Sequence, residues 1–230
     1  MQPEQGIRFD DVAFDRADRR VLSGITAHLT EHRVGLIGRN GSGKSTILRL
    51  AGALDYVSEG AVTIEGIDPR DDLKAVRPLV GYLFQNPETQ LVPPTVAEDV
   101  ALGLTRGKRK PEHERKVTEV LERLGIANLA DRFTHQLSGG EQQIVALAGS
   151  LVRHPKILLL DEPTTHLDLA FTGRMRAAID ELDQQAIIAS HDLDLIAGCD
   201  RVLVIENGQV DFDGAAEPAI ARYLEIAQWS

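Results

Sequence analysis

The stretch GRNGSGKS at residues 38–45 satisfies the pattern G-x-x-x-x-G-K-[ST] and decides how the rest of the chain is interpreted. An apolar run at residues 34–37 precedes it and a helical pattern from about residue 44 to 53 follows, which predicts a strand, a loop and a helix in succession. Glycines in such a loop let several backbone N–H groups point at one anion. Lys44 could then reach the β and γ phosphates of a nucleotide, and the Ser45 hydroxyl could ligate Mg²⁺. The alternative, a simple glycine-rich turn, does not explain the flanking strand and helix. The residues expected to bind nucleotide here are Gly38, Arg39, Asn40, Gly41, Ser42, Gly43, Lys44, Ser45 and Thr46.

A second motif, ILLLDE at residues 157–162, is an apolar strand that ends in two acids. Asp161 would lie beside the phosphate-binding loop and hold Mg²⁺, directly or through water. Glu162 would be positioned to polarise the attacking water. An apolar strand followed by two acids is common in itself, so this interpretation depends on the phosphate-binding loop.

A third motif, LSGGE at residues 137–141, opens a predicted helix. Ser138 supplies a hydroxyl, and Gly139 and Gly140 allow backbone N–H groups to approach a ligand closely. A capped helix start is the alternative, because serine is a good N-cap. Since one chain does not need two γ-phosphate sites, we expect Ser138, Gly139, Gly140 and Glu141 to close over a nucleotide held by another subunit.

Two single residues complete the expected site. His191 follows the predicted strand at residues 186–190 and could contact the γ-phosphate, although a lone histidine is more often structural. Gln85 ends the predicted strand at residues 80–84 and could ligate Mg²⁺ or water, although an exposed glutamine is the alternative.

Composition and charge limit the possible partners. The 230 residues suffice for one substantial domain and not for two. The formal net charge of -10 argues against a nucleic-acid partner, because an acidic chain repels phosphate backbones. The single cysteine, Cys199, excludes an internal disulfide and suits a reducing cytoplasm. No signal-peptide pattern and no apolar run of roughly 20 residues is present, so we expect any membrane pathway to come from another chain.

The order of the predicted elements favours an α/β protein. The N-terminal third has strand periodicity, with Ile25, Ala27 and Leu29 alternating with polar residues. Apolar strands at residues 157–160 and 186–189 are typical of a parallel sheet. A long helical segment at about residues 86–154 interrupts this alternation and predicts a helical subdomain inserted into the α/β core.

The motifs GRNGSGKS, Gln85, LSGGE, ILLLDEP, HLD and SHD, in this order, resemble the ATP-binding cassette (ABC) family along essentially the whole chain. The resemblance implies that residues 38–45 are Walker A, Gln85 the Q-loop, residues 137–141 the signature motif and Asp161 the Walker B aspartate. It also implies that Glu162 is the catalytic base, Asp168 part of the D-loop and His191 the switch histidine. ATP and Mg²⁺ are the implied cofactors, bound between two subunits.

The implied fold is a P-loop NTPase (RecA-like) α/β core with an N-terminal antiparallel β subdomain and an inserted α-helical subdomain. In this interpretation residues 1–230 form a single ABC ATPase domain. The core takes about residues 1–85 and 155–230, and the helical subdomain with the signature motif takes about residues 86–154.

A finer resemblance lies in GYLFQNPETQLVPPTVAEDV at residues 81–100, which is similar to the Q-loop region of energy-coupling factor (ECF) transporter ATPases. In that group this segment forms a groove for coupling helices of the membrane partner, and Glu88, Thr89, Gln90 and Leu91 are the candidates here. The resemblance implies a homodimer or a heterodimer with a related ATPase. It also implies integral membrane and substrate-binding subunits, and a peripheral place on the cytoplasmic face of the cell membrane. The short chain favours a dedicated biotin or metal-ion importer over a shared vitamin importer. Of these, a biotin importer is preferred, and a cobalt or nickel importer is the alternative.

Three positions depart from the family pattern. Arg16 stands where an aromatic residue usually stacks on adenine; its guanidinium can still stack on a base, and Phe14 is the alternative stacker. Ile144 stands where an arginine is common after the signature, and His166 where a small residue is usual in the D-loop. Solvated surface is the simpler interpretation of His166, and tuning of a subunit interface is the other.

Two rival functions remain open from the sequence. A soluble ABC-type ATPase acting on ribosomes or DNA would usually have two cassettes or a long coiled coil, and this chain has neither. A P-loop kinase or other NTPase does not explain LSGGE or the ordered Q, D and H motifs.

Overall fold

A computed structural model describes residues 5–92, 94–104 and 110–228. The predicted helical segment at about 86–154 therefore includes residue 93 and residues 105–109, which lie outside the described residues. The strands are β1 (Ile7–Arg16), β2 (Arg19–Leu29), β3 (Arg33–Ile37), β4 (Glu59–Ile64), β5 (Val80–Leu83), β6 (Ile157–Asp161), β7 (Gln185–Ala189), β8 (Arg201–Glu206) and β9 (Gln209–Gly214). The α-helices are α1 (Lys44–Ala51), α2 (Pro69–Val76), α3 (Val96–Leu102), α4 (Pro111–Arg123), α5 (Gly139–Leu151), α6 (Leu169–Asp180), α7 (Leu193–Ala197) and α8 (Ala216–Gln228).

The described strands form two sheets. A six-stranded sheet has the order β5-β6-β7-β3-β8-β9, in which only the β8–β9 pair is antiparallel. A three-stranded antiparallel sheet has the order β2-β1-β4. The α/β class and the N-terminal antiparallel sheet predicted from the sequence are therefore confirmed.

Two apolar cores cover the two faces of the larger sheet. One core joins that sheet and α1 to the small sheet, with Phe9, Leu48 and Leu159 almost fully buried. The other lies beneath the helices that precede β6 and those that follow it, and Val145, Leu160 and Met175 are fully buried there. Because α3, α4 and α5 share this second core with the sheet, the signature motif at the start of α5 is carried on a packed element.

A tight turn between β8 and β9 braces the phosphate-binding loop. Asn207 and Gly208 both have positive φ, 50° and 76°, as the Asn-Gly signal predicts for a two-residue hairpin. The Gly208 N–H donates to the Ser42 carbonyl at 3.0 Å, and the Gly208 carbonyl accepts from the Ser23 N–H at 2.9 Å. The turn thus links both sheets to the loop.

No helix of the described residues is long and apolar enough to cross a membrane.

Candidate functional site

The loop between β3 and α1 has the geometry expected of a phosphate-binding loop. Gly43 precedes the first residue of α1 with φ of 114°, and a Cβ there would lie 2.5 Å from Cδ2 of Leu22, so only glycine fits without strain. Lys44 is 6% exposed, and its Nζ donates to the carbonyls of Gly38 at 2.8 Å and Arg39 at 3.2 Å. Burial lowers the pKa of Lys44, partly offset by the nearby Glu162 carboxylate. The ammonium group is therefore held inside the loop, at the start of a helix.

Ser42 carries an unsatisfied polar atom in the same loop. Its side chain is 5% exposed, and its Oγ is buried with no hydrogen-bond partner in the described part of the chain. Buried hydroxyl groups are normally paired, so an unpaired one inside a glycine-rich loop favours a ligand that completes it.

Asp161, the last residue of β6, lies next to the first turn of α1. Its Oδ1 accepts a hydrogen bond of 2.9 Å from the Ser45 hydroxyl, and its Oδ2 accepts one of 3.3 Å from the Tyr82 hydroxyl. Asp161 is 6% exposed, and burial raises the pKa of its carboxyl group. Burial and Asp161 likewise raise the pKa of the Tyr82 phenol.

Tyr82 belongs to none of the motifs found in the sequence. It lies in a strand that was predicted, and a polar-tipped residue within an apolar strand beside ILLLDE is the signal that could have revealed it.

Residues 5–92, 94–104 and 110–228 contain no group of three or more His, Cys, Asp and Glu side chains that could hold a metal ion. Ser45 and Asp161 instead present two hard oxygens 2.9 Å apart, which is the donor type that Mg²⁺ prefers and fewer ligands than it needs. Such a pair fits an ion that also takes oxygens from phosphates and water.

Glu162 directly follows Asp161 and has an unusual backbone, with φ of 51°. Its side chain is 7% exposed, and its Oε2 accepts hydrogen bonds of 3.2 Å from the His191 N–H and from the Thr165 hydroxyl. A left-handed conformation at a non-glycine residue is uncommon and is held here by these contacts. The carboxylate is thereby fixed beside the phosphate-binding loop.

His191 connects the loop, Glu162 and the C-terminal helix. Its Nε2 lies 2.9 Å from Oδ1 of Asn40, 3.3 Å from Nζ of Lys44 and 3.3 Å from Oε1 of Glu162. Its Nδ1 lies 3.5 Å from the hydroxyl of Tyr223 in α8. Burial and the Lys44 ammonium lower the pKa of His191, and Glu162 opposes them.

A cavity of about 280 Å³ opens over the phosphate-binding loop. Its lining includes Lys44 and Ser45 from the loop and helix α1, Gln85 from the end of β5, and Glu162. Gln85 is exposed there, so the structure places it on the same cavity as the predicted Mg²⁺ ligand Ser45.

Arg16, at the end of β1, lines the same cavity, with its side chain 65% exposed and its Nη2 4.0 Å from Oδ2 of Asp55. Phe14, the alternative adenine-stacking residue, is 8% exposed and packs in the core between the two sheets. Its ring is not available to a nucleotide, so this alternative was wrong. Irregular pairing on either side of Phe14 in β1 turns the residue inward.

The signature motif begins α5 with a capping box. The Ser138 hydroxyl accepts from the Glu141 N–H at 3.3 Å, while Oε2 of Glu141 accepts from the Ser138 N–H at 2.8 Å. The hydrogen bond from the Ser138 N–H lowers the pKa of Glu141. The Glu141 carboxylate is thus used within the turn, where it shapes the helix start. The capped helix start and the phosphate-binding interpretation are compatible, because Gly139 stays exposed above the cap.

None of residues 138–141 lines the cavity over the phosphate-binding loop. Gly139 instead lines a separate cavity of about 410 Å³, together with Gln85, Glu88 and His166. In one chain residues 138–141 and Lys44, which are both expected to bind phosphate, therefore do not line one cavity.

The D-loop residues lie beside the signature helix. Asp168 is exposed and its Oδ1 accepts from the Phe171 N–H at 2.8 Å, which caps α6. His166 is exposed, as both the solvated and the subunit-interface interpretations require, and has φ of 63°. Ile144 is 2% exposed in the core under α5, where an arginine would need a buried partner.

Gln90 differs from the expectation for a partner-binding groove. Its Oε1 accepts from the Phe84 N–H at 3.2 Å, and its Nε2 lies 3.3 Å from both the Ala146 carbonyl and the Ser150 hydroxyl. Gln90 thus turns inward and joins the end of β5 to α5. Glu88 remains exposed and lines the 410 Å³ cavity, whereas Leu91 packs against the core. The side chain of Thr89, the fourth candidate, lies outside the described part of the structure.

Comparison with known proteins identifies relatives over nearly the full chain. The family model described as "ABC transporter" matches residues 24–165. The biotin transport ATP-binding protein BioM of Rhizobium etli is 45% identical over 222 residues, covering 96% of this chain and 99% of the relative.

Two solved structures share the fold along most of their length. CbiO1 of Clostridium perfringens, described as part of the ABC transporter complex cbiONQ, is 30% identical with a TM-score of 0.84, covering 98% of this chain and 94% of that one. The ATP-binding cassette MJ0796, described as a dimer in a post-hydrolysis state bound to ADP and Pi, is 27% identical with a TM-score of 0.81, covering 92% of this chain and 99% of that one.

Proposed function

Because the chain belongs to the ABC transporter family and is an ATP-binding subunit that hydrolyses ATP, we propose that it energises an importer of the energy-coupling factor type. Two features support the ECF type: the sequence of residues 81–100, and the likeness to BioM and to CbiO1. Biotin is the favoured cargo, because BioM is named as a biotin transport protein and is 45% identical over 222 residues. A cobalt or nickel importer is the alternative.

The proposed nucleotide site uses the residues around Lys44. The loop N–H groups and the Lys44 ammonium bind the β and γ phosphates of ATP. Ser45, Asp161 and Gln85 are the proposed Mg²⁺ ligands, directly or through water, and the bound ion would offset the charge of the phosphates. The 2.9 Å contact between Ser45 Oγ and Asp161 Oδ1 supports this assignment.

Glu162 is the proposed base of the reaction. Its Oε2 is fixed by the His191 N–H and by Thr165, whereas its Oε1 lies 3.3 Å from Nε2 of His191. A carboxylate in that position accepts a hydrogen bond from a water molecule and orients it for in-line attack on the γ-phosphorus. The proposed role of His191 is to contact the γ-phosphate through Nε2.

We propose that two such subunits enclose two nucleotides. Gly139 and Ser138 lie away from the cavity that contains Lys44, so the signature motif of one subunit would complete the site of the other. The dimer described for MJ0796 supports this arrangement. Both halves of the site are present in this chain, so a homodimer would have two working sites, and a heterodimer with a related ATPase is the other possibility.

The proposed partners are integral membrane and substrate-binding subunits, with this chain peripheral on the cytoplasmic face. The description of CbiO1 as part of the transporter complex cbiONQ supports such partners. Glu88 is the proposed contact residue on the groove beside the Q-loop, because it is exposed and lines the 410 Å³ cavity.

One observation supports the proposed role of Glu162 as the base: its carboxylate is held in a fixed position beside the loop that contains Lys44. Glu162→Gln removes the base and keeps the size of the side chain. We expect kcat for ATP hydrolysis to fall by about 10²–10⁴-fold, with ATP-dependent dimers still visible by light scattering. Glu119→Gln, an exposed change of the same kind on α4, is the matched control and should hydrolyse ATP like the wild type. Turnover of Glu162→Gln near the wild-type rate would remove Glu162 from this role.

The transport proposal is tested with the membrane partners. The tagged chain should co-purify with an integral membrane protein, and the reconstituted complex should accumulate labelled biotin in an ATP-dependent way. Uptake of Co²⁺ or Ni²⁺ instead would favour the alternative cargo. Failure to recover any membrane partner would contradict the transport proposal and favour a soluble ABC ATPase.

A further inference from the structure

We propose that Tyr223, in the C-terminal helix α8, is a positioning residue that fixes the tautomer and the orientation of His191. This inference rests on the proposed function of His191 as the residue that contacts the γ-phosphate. No motif includes Tyr223, and 32 residues separate it from His191 in the sequence.

The two ring nitrogens of His191 face different groups. Nε2 faces the nucleotide site, 2.9 Å from Oδ1 of Asn40 and 3.3 Å from Oε1 of Glu162. Nδ1 faces away from that site, 3.5 Å from the Tyr223 hydroxyl. This distance is long for a hydrogen bond, as is common for catalytic contacts without substrate, which tighten when the substrate binds.

The chemistry of these neighbours selects one tautomer. A carboxylate oxygen accepts hydrogen bonds and cannot donate, so Glu162 requires the proton of the neutral imidazole on Nε2. Nδ1 is then an acceptor, and the Tyr223 hydroxyl is a donor that can satisfy it. With Tyr223 in place, the N–H of His191 points at the site of the γ-phosphate.

Lys44 is a donor on the same side of the ring as Nε2 of His191. Its Nζ lies 3.3 Å from Nε2 of His191, but it also donates to the carbonyls of Gly38 and Arg39 at 2.8 and 3.2 Å. Those carbonyls take two of its three N–H groups, and the third can approach Nε2. Two acceptor oxygens, Oδ1 of Asn40 at 2.9 Å and Oε1 of Glu162 at 3.3 Å, nevertheless favour a proton on Nε2. The charged groups that face the His191 ring are thus Lys44 and Glu162, and Tyr223 faces it from the opposite side.

Tyr223 is itself held in place by α8. The side chain is half-buried against the core, and Ala219, one turn earlier, is fully buried. The preceding residue, Arg222, donates from Nε at 2.7 Å and from Nη2 at 3.0 Å to the two oxygens of Asp211 in β9. This bidentate pair joins α8 to the sheet edge, so the phenol cannot easily move away from His191.

The side chain of the residue after His191 is also anchored, by a different element. Arg176 of α6 forms a bidentate pair with the carboxylate of Asp192, with one contact of 2.9 Å from Nε. This pair holds the chain at His191 but leaves rotation of the imidazole ring free. The ring orientation therefore depends on its own contacts, among which Tyr223 is the only one in the described structure on the Nδ1 side.

The direct test is the tautomer of His191 in the full-length chain. Long-range ¹H–¹⁵N correlation spectra of the imidazole rings at pH 8 distinguish protonated from unprotonated ring nitrogens, and the signals of His191 are identified by their loss in His191→Gln. We expect the wild type to carry its proton on Nε2. Tyr223→Phe, which removes one hydroxyl group, should give a mixture of both tautomers. Tyr56→Phe, the same change at an exposed tyrosine, is the control and should leave the His191 signals unchanged.

Steady-state ATP hydrolysis gives an independent readout. Loss of one hydrogen bond that acts only on ring orientation should lower kcat about fivefold in Tyr223→Phe, with KM for ATP unchanged. Equal tautomer populations and equal kcat in Tyr223→Phe and the wild type would overturn the proposal, as would a change in KM alone. The tautomer is measured without nucleotide, so a failure of the proposed ATPase mechanism, seen as no effect of Glu162→Gln, remains distinguishable from a failure of this inference.

Discussion

Gly140→Ala places a methyl group against the ring of Phe171. A Cβ at Gly140 would lie 2.5 Å from Cδ2 and 2.6 Å from Cδ1 of that ring, closer than real side-chain contacts allow. The ring cannot simply rotate away, because Phe171 packs against the core and its centroid lies 5.4 Å from Cζ of Arg174 in a cation–π contact. The start of α6 must therefore shift relative to the start of α5.

Two opposing effects set the size of the change. Overpacking of this kind typically costs about 1–3 kcal/mol, whereas replacing glycine by alanine within a helix stabilises it by about 0.5–1 kcal/mol. The strain exceeds the gain in helix propensity, so we expect the free energy of unfolding to fall by about 1–2 kcal/mol. For a chain of this length that corresponds to a decrease in Tm of about 2–8 °C.

Urea and thermal unfolding followed by circular dichroism measure this change. Gly139→Ala is the matched control, because a Cβ at Gly139 would meet nothing within 4 Å, and we expect it to be neutral or slightly stabilising. In the Phe171→Leu background, Gly140→Ala should lower the free energy of unfolding by less than it does in the wild type. Equal stability of the Gly139 and Gly140 variants would refute the reasoning, since the two differ in the ring of Phe171.

Three further predictions concern the nucleotide site and the lone thiol. Arg16→Tyr should lower KM for ATP several-fold, because stacking of a base on an aromatic ring stabilises binding by about 1–3 kcal/mol; an unchanged KM would place the base elsewhere. Tyr82→Phe removes the hydroxyl that donates to Asp161 and should lower the free energy of unfolding by about 1 kcal/mol in urea, and wild-type stability would exclude that contact. Burial raises the pKa of Cys199 to about 12, so the folded protein should resist thiol reagents at pH 8 and react only on unfolding; rapid labelling in native buffer would contradict this burial.

The local parts of the site could be predicted from the sequence, because their signals lie within a few residues. GRNGSGKS predicted the loop between β3 and α1, and ILLLDE predicted a buried strand ending at Asp161. Asn207-Gly208 predicted the hairpin turn. In each case turn chemistry or apolar periodicity alone determines the conformation.

The remaining features depend on contacts between residues distant in the chain. Tyr82 meets Asp161 across 79 residues, and Tyr223 meets His191 across 32, so no local pattern could reveal either pair. Phe14 faces the core because the irregular pairing in β1 changes which side chains point inward, and a strand period of two does not include such shifts.

The same dependence on tertiary contacts explains Gln90. From the sequence it belongs to a polar stretch after a strand, where exposure is the usual outcome. In the structure its amide is hydrogen-bonded to groups 6, 56 and 60 residues away. A glutamine can complete such a network because its side chain both donates and accepts.

Through these hydrogen bonds Gln90 joins the short segment after Gln85 to both the larger sheet and α5. One end of the amide is fixed to the backbone of Phe84 and the other to Ala146 and Ser150 of α5. The Ser150 hydroxyl also donates to the Tyr82 carbonyl at 2.8 Å, which reinforces the same joint. A displacement of this segment, which carries the exposed Glu88, would therefore break hydrogen bonds to both β5 and α5. The surface beside the Q-loop is thus joined by side-chain hydrogen bonds to the same helix that begins with the signature motif.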